Sequence, residues 1–149
     1  MAETARLMTG DYGTEEWLSS AAAISADVVS LCNQYLAVVE DEKDDIERVR
    51  REVNHIAHML KITKLVQGNT GDPEYIFVTE EERGSFLRCI LELQDIQGKL
   101  QLGNCQDTQS EDFIRSIEWP FTRTQTYEIV ETLQSHGIVF NLVLQTNRT

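Results

Sequence analysis

Two imidazoles three residues apart, His55 and His58 in "NHIAHML", are the first residues in this chain whose types and spacing could do chemistry. On a helix that spacing can bring both onto one metal ion. A metal centre needs further ligands, however, and neither a third donor on that segment nor a cysteine cluster nor an H-E-x-x-H pattern completes the set. The expectation is two partly exposed histidines and no metal. His136, alone in "QSHGIV", is expected on a helix surface.

Nucleophiles give no stronger pattern. Cys32 falls within an apolar stripe, where a thiol behaves as a small hydrophobe, and Cys105 in a polar loop has no adjoining His or basic residue. No G-x-S-x-G, P-loop or G-x-G-x-x-G is present. The carboxylates of "TEEER" read as the charged first turn of a helix, not as a general acid and base. The expectation is a non-enzymatic protein with no cofactor. The alternative is a site assembled only in space from His55, His58 or Cys105.

Bulk properties narrow the partners. The 149 residues fit one domain, and 25 acidic against 13 basic side chains give a formal net charge of -12. A nucleic-acid binder needs clustered cations, and attraction to anionic lipid needs the same, so protein partners are expected. No apolar run approaches the length of a bilayer span, and the first residues lack the pattern of a secretory signal. Three cysteines without a pairing motif fit reduced thiols and a cytoplasmic location.

The elements that would position these residues are helices. Residues 1 to 16 read as a flexible arm and 17 to 149 as one helical domain. Trp17, Ala21, Ile24, Val28, Leu31, Tyr35 and Val38 recur at spacings of four and three, beside a second stripe of Leu18, Ala22, Val29, Cys32, Leu36 and Val39. A helix this apolar should be largely surrounded by others. The acidic run "EDEKDD" then marks a turn, with Asp41, Asp44 or Asp45 capping a second helix whose apolar face is Ile46, Val49, Val53, Ile56, Leu60 and Thr63. Arg48, Arg50 and Arg51 lie on its outer face, where each exposed ion pair is worth roughly 0.2–0.5 kcal/mol.

"QGNTGDPEY" is the clearest loop, and "YIFV" after it a packed lead-in. Thr79 and Glu82 match a capping box before a third helix that buries Phe86, Leu87, Ile90, Leu91, Leu93, Ile96 and Leu100. Gly84 costs that helix about 1 kcal/mol relative to Ala. After the polar loop "LGNCQDTQ", a short helix around Phe113, Ile114 and Ile117 must stop near Trp119, because a residue before proline is pushed out of the helical region. Thr122 and Gln125 form another capping box, and Ile129, Val130, Leu133, Gly137, Phe140 and Leu144 mark the last helix. The predicted architecture is an all-α bundle of four long helices plus one short helix.

The closing segment "SIEWPFTRTQTYEIVETLQSHGIVFNLVLQTN" resembles that of the HeLo-like family, the N-terminal domains of fungal STAND or NOD-like receptors. The positions that carry the resemblance are Trp119, Pro120 and Phe121 before a final helix, then Leu142, Leu144 and Gln145. The segment from Ala21 to Leu60 is similar to the family's opening helix pair, and the likeness extends over about Trp17 to Asn147. It implies a signalling bundle, usually joined to a nucleotide-binding domain and ankyrin or other repeats, that acts in non-self recognition, heterokaryon incompatibility and programmed cell death. It also implies an alternative, a membrane-permeabilising effector in which Trp17, Leu18, Ile24, Val28 and Leu31 leave the core. Self-association through the bundle is the expected mode of partnership in the first case.

Overall fold

The computed structural model describes residues 14–69, 80–103 and 118–147. Four helices account for nearly all of them: α1 (Thr14–Val38), α2 (Lys43–Asn69), α3 (Glu80–Gly103) and α4 (Arg123–Asn147). No strand occurs among the described residues, and the protein is an all-α helical bundle. The arm as far as Gly13, the lead-in "YIFV", Thr79, Cys105 and the short helix expected before Trp119 lie outside the described residues.

The apolar stripes dictate how the helices meet. Trp17 of α1 faces Phe86 of α3, with ring centroids 6.1 Å apart, and Tyr35 reaches Leu100 of the same helix. Between them Asp27 accepts a hydrogen bond from Gln97 Nε2 at 2.7 Å. Matching rising numbers on both helices means that α1 and α3 run parallel. Phe86 meets Phe140 and Glu92 meets His136, so α4 runs antiparallel to α3. Gln134 donates to Glu52, and Arg48 lies over Tyr127, so α4 runs parallel to α2. Around the bundle the order is therefore α1, α2, α4, α3, so α2 and α3 stand diagonally opposite each other.

Burial follows the predicted faces closely. Leu18, Val28, Cys32, Tyr35, Ile46, Val49, Val53, Ile90, Leu93, Leu100 and Leu133 are fully enclosed. Leu87, Ile129 and Val130 pack against this core from its margin. Buried Ser25 and Thr63 satisfy their hydroxyls within their own helices, donating to Ala21 O and Met59 O at 2.8 and 2.7 Å. The acidic turn stands where expected, but none of the three aspartates caps α2: Ile46 N donates to Glu42 O, so Glu42 holds the cap position, and Asp44 and Asp45 lie in the first turn, next to the helix end that favours negative charge.

Several expectations need correction. Helix α1 begins at Thr14, before Trp17, because "TEE" supplies residue types that suit a first helical turn. Helix α2 continues through Gln67 and Gly68 to Asn69, two polar residues and a glycine that one further turn tolerates. Val38 ends the first stripe in solvent, 53% exposed, because the chain turns away from the core there. Among the described residues α1 packs mainly on α2 and α3, and Ala23, Ala26, Ser30 and Ala37 are exposed. Finally, Glu16–Val38, 23 residues, is long and apolar enough by length and composition to cross a membrane. Counting unbroken apolar runs misses it, because Ser, Asp, Asn and Gln interrupt the run without making the whole segment polar.

Candidate functional site

The junction from Glu118 to Thr122 gathers ring contacts and hydrogen bonds from three helices. Pro120 keeps Trp119 out of a helix, so the backbone between Glu118 and Thr122 is free to turn the indole inward. Trp119 packs edge to face on Tyr35 (5.5 Å, 83°) and on Phe121 (5.1 Å, 72°), and both residues of the aromatic pair are buried. Its Nε1 donates to Thr126 Oγ1 at 3.3 Å. Tyr35 donates in turn to Leu100 O at 2.7 Å, and burial pushes its phenol up to about 12. The capping box forms reciprocally: Thr122 N donates to Gln125 Oε1 at 2.9 Å and Gln125 N to Thr122 Oγ1 at 3.1 Å.

Gly103 belongs to the same knot. A Cβ there would overlap the Tyr35 hydroxyl and stand 3.3 Å from Glu118 O. The last residue of α3 is thus a glycine because α1 and the junction both close onto it. This corner joins the C-terminal end of α3, the start of α4 and the body of α1 through ring packing and hydrogen bonds. It positions helices, and its Phe121 and Gln125 also line a groove of about 250 Å³ between α3 and α4.

The remaining site residues separate into enclosed and exposed sets. Trp17, Leu18, Ile24, Val28 and Leu31 all lie in the core, so in this fold none is available to a membrane or a second copy. Of the closing motif, Leu144 is buried, while Leu142 is 57% exposed and Gln145 faces solvent. Val143 fills the core position between them, a residue the periodic reading passed over. His55 and His58 are both exposed, and no group of three potential metal ligands gathers among the described residues. Cys32 and Cys89 are buried thiols pushed up to about 12 by desolvation, far from thiolate chemistry at neutral pH.

His136 corrects its expectation: it is buried, at 9% exposure, where α4 meets α3. The preceding Ser135 and the following Gly137 obscure this in the sequence, but His136 stands three residues after buried Leu133 and four before Phe140, the spacing of a core face. Its Nε2 has no hydrogen-bond partner among the described residues and lies 4.0 Å from Glu92 Oε2. Burial lowers its pKa, with the positive charge of Arg88 adding to the effect, so the imidazole is neutral near pH 7 and the contact is not an ion pair. Burial also raises the Glu92 carboxyl, and Asp95 raises it further.

The exposed set concentrates between α2 and α4. Arg48 stands 5.4 Å above the Tyr127 ring, and its hydrogen bond and charge hold that phenol below the ordinary tyrosine range. Gln134 Nε2 donates to Glu52 Oε1 at 3.2 Å beside them. A groove of about 420 Å³ runs between the helices, walled by Arg48, Arg51 and Glu52 on one side and Tyr127, Glu131 and Gln134 on the other. Its walls present two guanidinium groups, two carboxylates, a phenol and an amide. Arg48 and Arg51 were expected on the outer face of α2. Tyr127 carried no recognisable signal, because a tyrosine outside the apolar stripe gives no hint of the guanidinium above it. Compared with protein-family models, curated proteins and solved structures, the chain matches none.

Proposed function

We propose that this chain is a non-enzymatic signalling module that works by binding protein partners, in the manner implied by its resemblance to the N-terminal domains of fungal NOD-like receptors. One observation carries the reading. Leu65, Leu102, Tyr127 and Ile138 are 56–75% exposed on a bundle whose core is otherwise well filled. Large apolar side chains standing in water on a strongly charged surface are what a protein interface requires. The junction at Trp119 to Phe121 supports the resemblance at its most distinctive residues, since the Trp-Pro-Phe corner ties three helices into one rigid unit.

Sedimentation velocity over a wide concentration range, combined with pull-down from a fungal extract, tests the proposal. Reversible self-association, or recovery of a partner whose binding is weakened by Leu102→Glu or Ile138→Glu, is expected. A strictly monomeric protein that recovers nothing removes the reading. The length and composition of Glu16–Val38 favour a second reading, a membrane-permeabilising effector in which α1 leaves the bundle. That reading demands dye release from liposomes by the full chain or by a chain lacking Met1 to Gly13. No release at any lipid composition eliminates it.

A further inference from the structure

Helix α2 carries two seams of the same period. Ile46, Val49, Val53, Ile56, Leu60 and Thr63 face the core, and Arg48, Arg51, His55, His58, Ile62 and Leu65 repeat the alternation of three and four on another face. All of the second seam except the half-buried Ile62 is exposed. Tyr127, Glu131, Gln134 and Ile138 form an equivalent exposed stripe on α4. The two helices run parallel, with Arg48 beside Tyr127, Glu52 beside Gln134 and His55 beside Gly137. Two parallel stripes at heptad spacing, with a groove between them, are the surface into which a third helix packs its side chains.

Charge selects the kind of helix. From Val53 to Asn69 there is no Asp or Glu, in a chain that has 25 of them. Arg48, Arg51, Lys61 and Lys64 are exposed on α2, and Arg51 makes no salt bridge among the described residues. Two carboxylates wall the groove against these four cations, Glu52, which is engaged by Gln134, and Glu131 on α4. A cationic face on a molecule of net charge -12 is a local feature against the global field. We infer that the α2–α4 groove is the docking site for an amphipathic helix of a partner protein, with an apolar seam flanked by carboxylates. The inference rests on the reading of the chain as an interaction module and specifies where it binds and what.

The apolar seam of the incoming helix covers Tyr127, Ile138, Ile62 and Leu65, and its carboxylates reach Arg48, Arg51 and Lys61. A second copy docking by the same face would set Arg48 and Arg51 against their own equivalents, which disfavours a symmetric dimer there. A bilayer is disfavoured as well, because the surface is concave and the molecule as a whole repels anionic lipid.

The test uses the full chain and two labelled synthetic peptides. One is an amphipathic helix with Leu at its seam positions and Glu on the flanks, and the other carries Lys in place of every Glu. Because the net charge repels the first peptide and attracts the second, preference for the Glu peptide reports the groove alone. Saturable anisotropy is expected with the Glu peptide, weakened by salt and by about tenfold or more in the exposed double variant Arg48→Glu/Arg51→Glu. Circular dichroism confirms that the variant folds, and amide shift changes should be confined to α2 and α4. Failure to bind the Glu peptide, equal binding by the variant, preference for the Lys peptide or for phosphatidylserine vesicles, or shifts on another face would each overturn the inference. If self-association or partner capture survives the double variant unchanged, the module reading stands and the groove assignment alone falls.

Discussion

At the residue scale, glycines and a histidine show how one position can be decided by its neighbours. Gly98 of α3 has open space where a Cβ would stand, whereas Gly103 five residues later faces the Tyr35 hydroxyl. Gly98→Ala should therefore raise stability by up to about 1 kcal/mol, the ordinary helical gain. Gly103→Ala should lower it, and adding Tyr35→Phe should recover part of the loss by removing the oxygen that clashes. Thermal denaturation of the three variants and the double variant checks the coupling, and strict additivity would argue against the contact. For His136 the folded pKa is lowered, so the unfolded chain binds more protons below the usual histidine value of about 6.5. Stability contributed by the neutral imidazole is complete above that pH and is lost as the pH falls toward the folded value. Glu92, with its pKa raised, acts in the opposite sense: its folded form takes up a proton more readily, so acidification adds stability there. A His136→Gln variant should show a smaller loss of melting temperature than the parent between about pH 6.5 and 5, and Glu92→Gln a larger one.

At the element scale, the start of α4 was legible because capping is a local matter. Thr122 and Gln125 are three residues apart, and their reciprocal hydrogen bonds form without reference to the rest of the molecule. Thr122→Ala should cost about 1 kcal/mol, read as a lower denaturant midpoint with an unchanged slope. The turn between α1 and α2 was legible for the same reason, since a run of carboxylates both ends an apolar stripe and suits the start of the next helix. The core seams of α2 and α3 could be read from spacing alone. The outer seam of α2 has that same spacing but consists mostly of Arg and His, so a search for apolar periodicity passes over it. Val143 was passed over, because adjacent apolar residues near a helix end do not say which of them turns inward.

At the scale of the whole molecule, the central question is whether α1 is a permanent part of the core. Its thiol reports on that. Cys32 belongs to α1 and Cys89 to α3, both buried and both pushed up to about 12. With Cys105 replaced by serine, the two should be labelled by a thiol reagent only slowly and at matching rates, as global unfolding requires. Faster labelling of Cys32 than of Cys89 would show that α1 opens independently, as the membrane-permeabilising reading demands. The sequence by itself determined the helical class, the number of long helices and most of the residues each one buries, because periodicity and capping are properties of neighbouring residues. Only the tertiary structure decided that α4 lies beside α2 as well as α3, that His136 is enclosed and that Arg48 covers Tyr127. Those outcomes depend on which helices become neighbours, and amphipathic helices with similar apolar stripes can be arranged around a common core in more than one order.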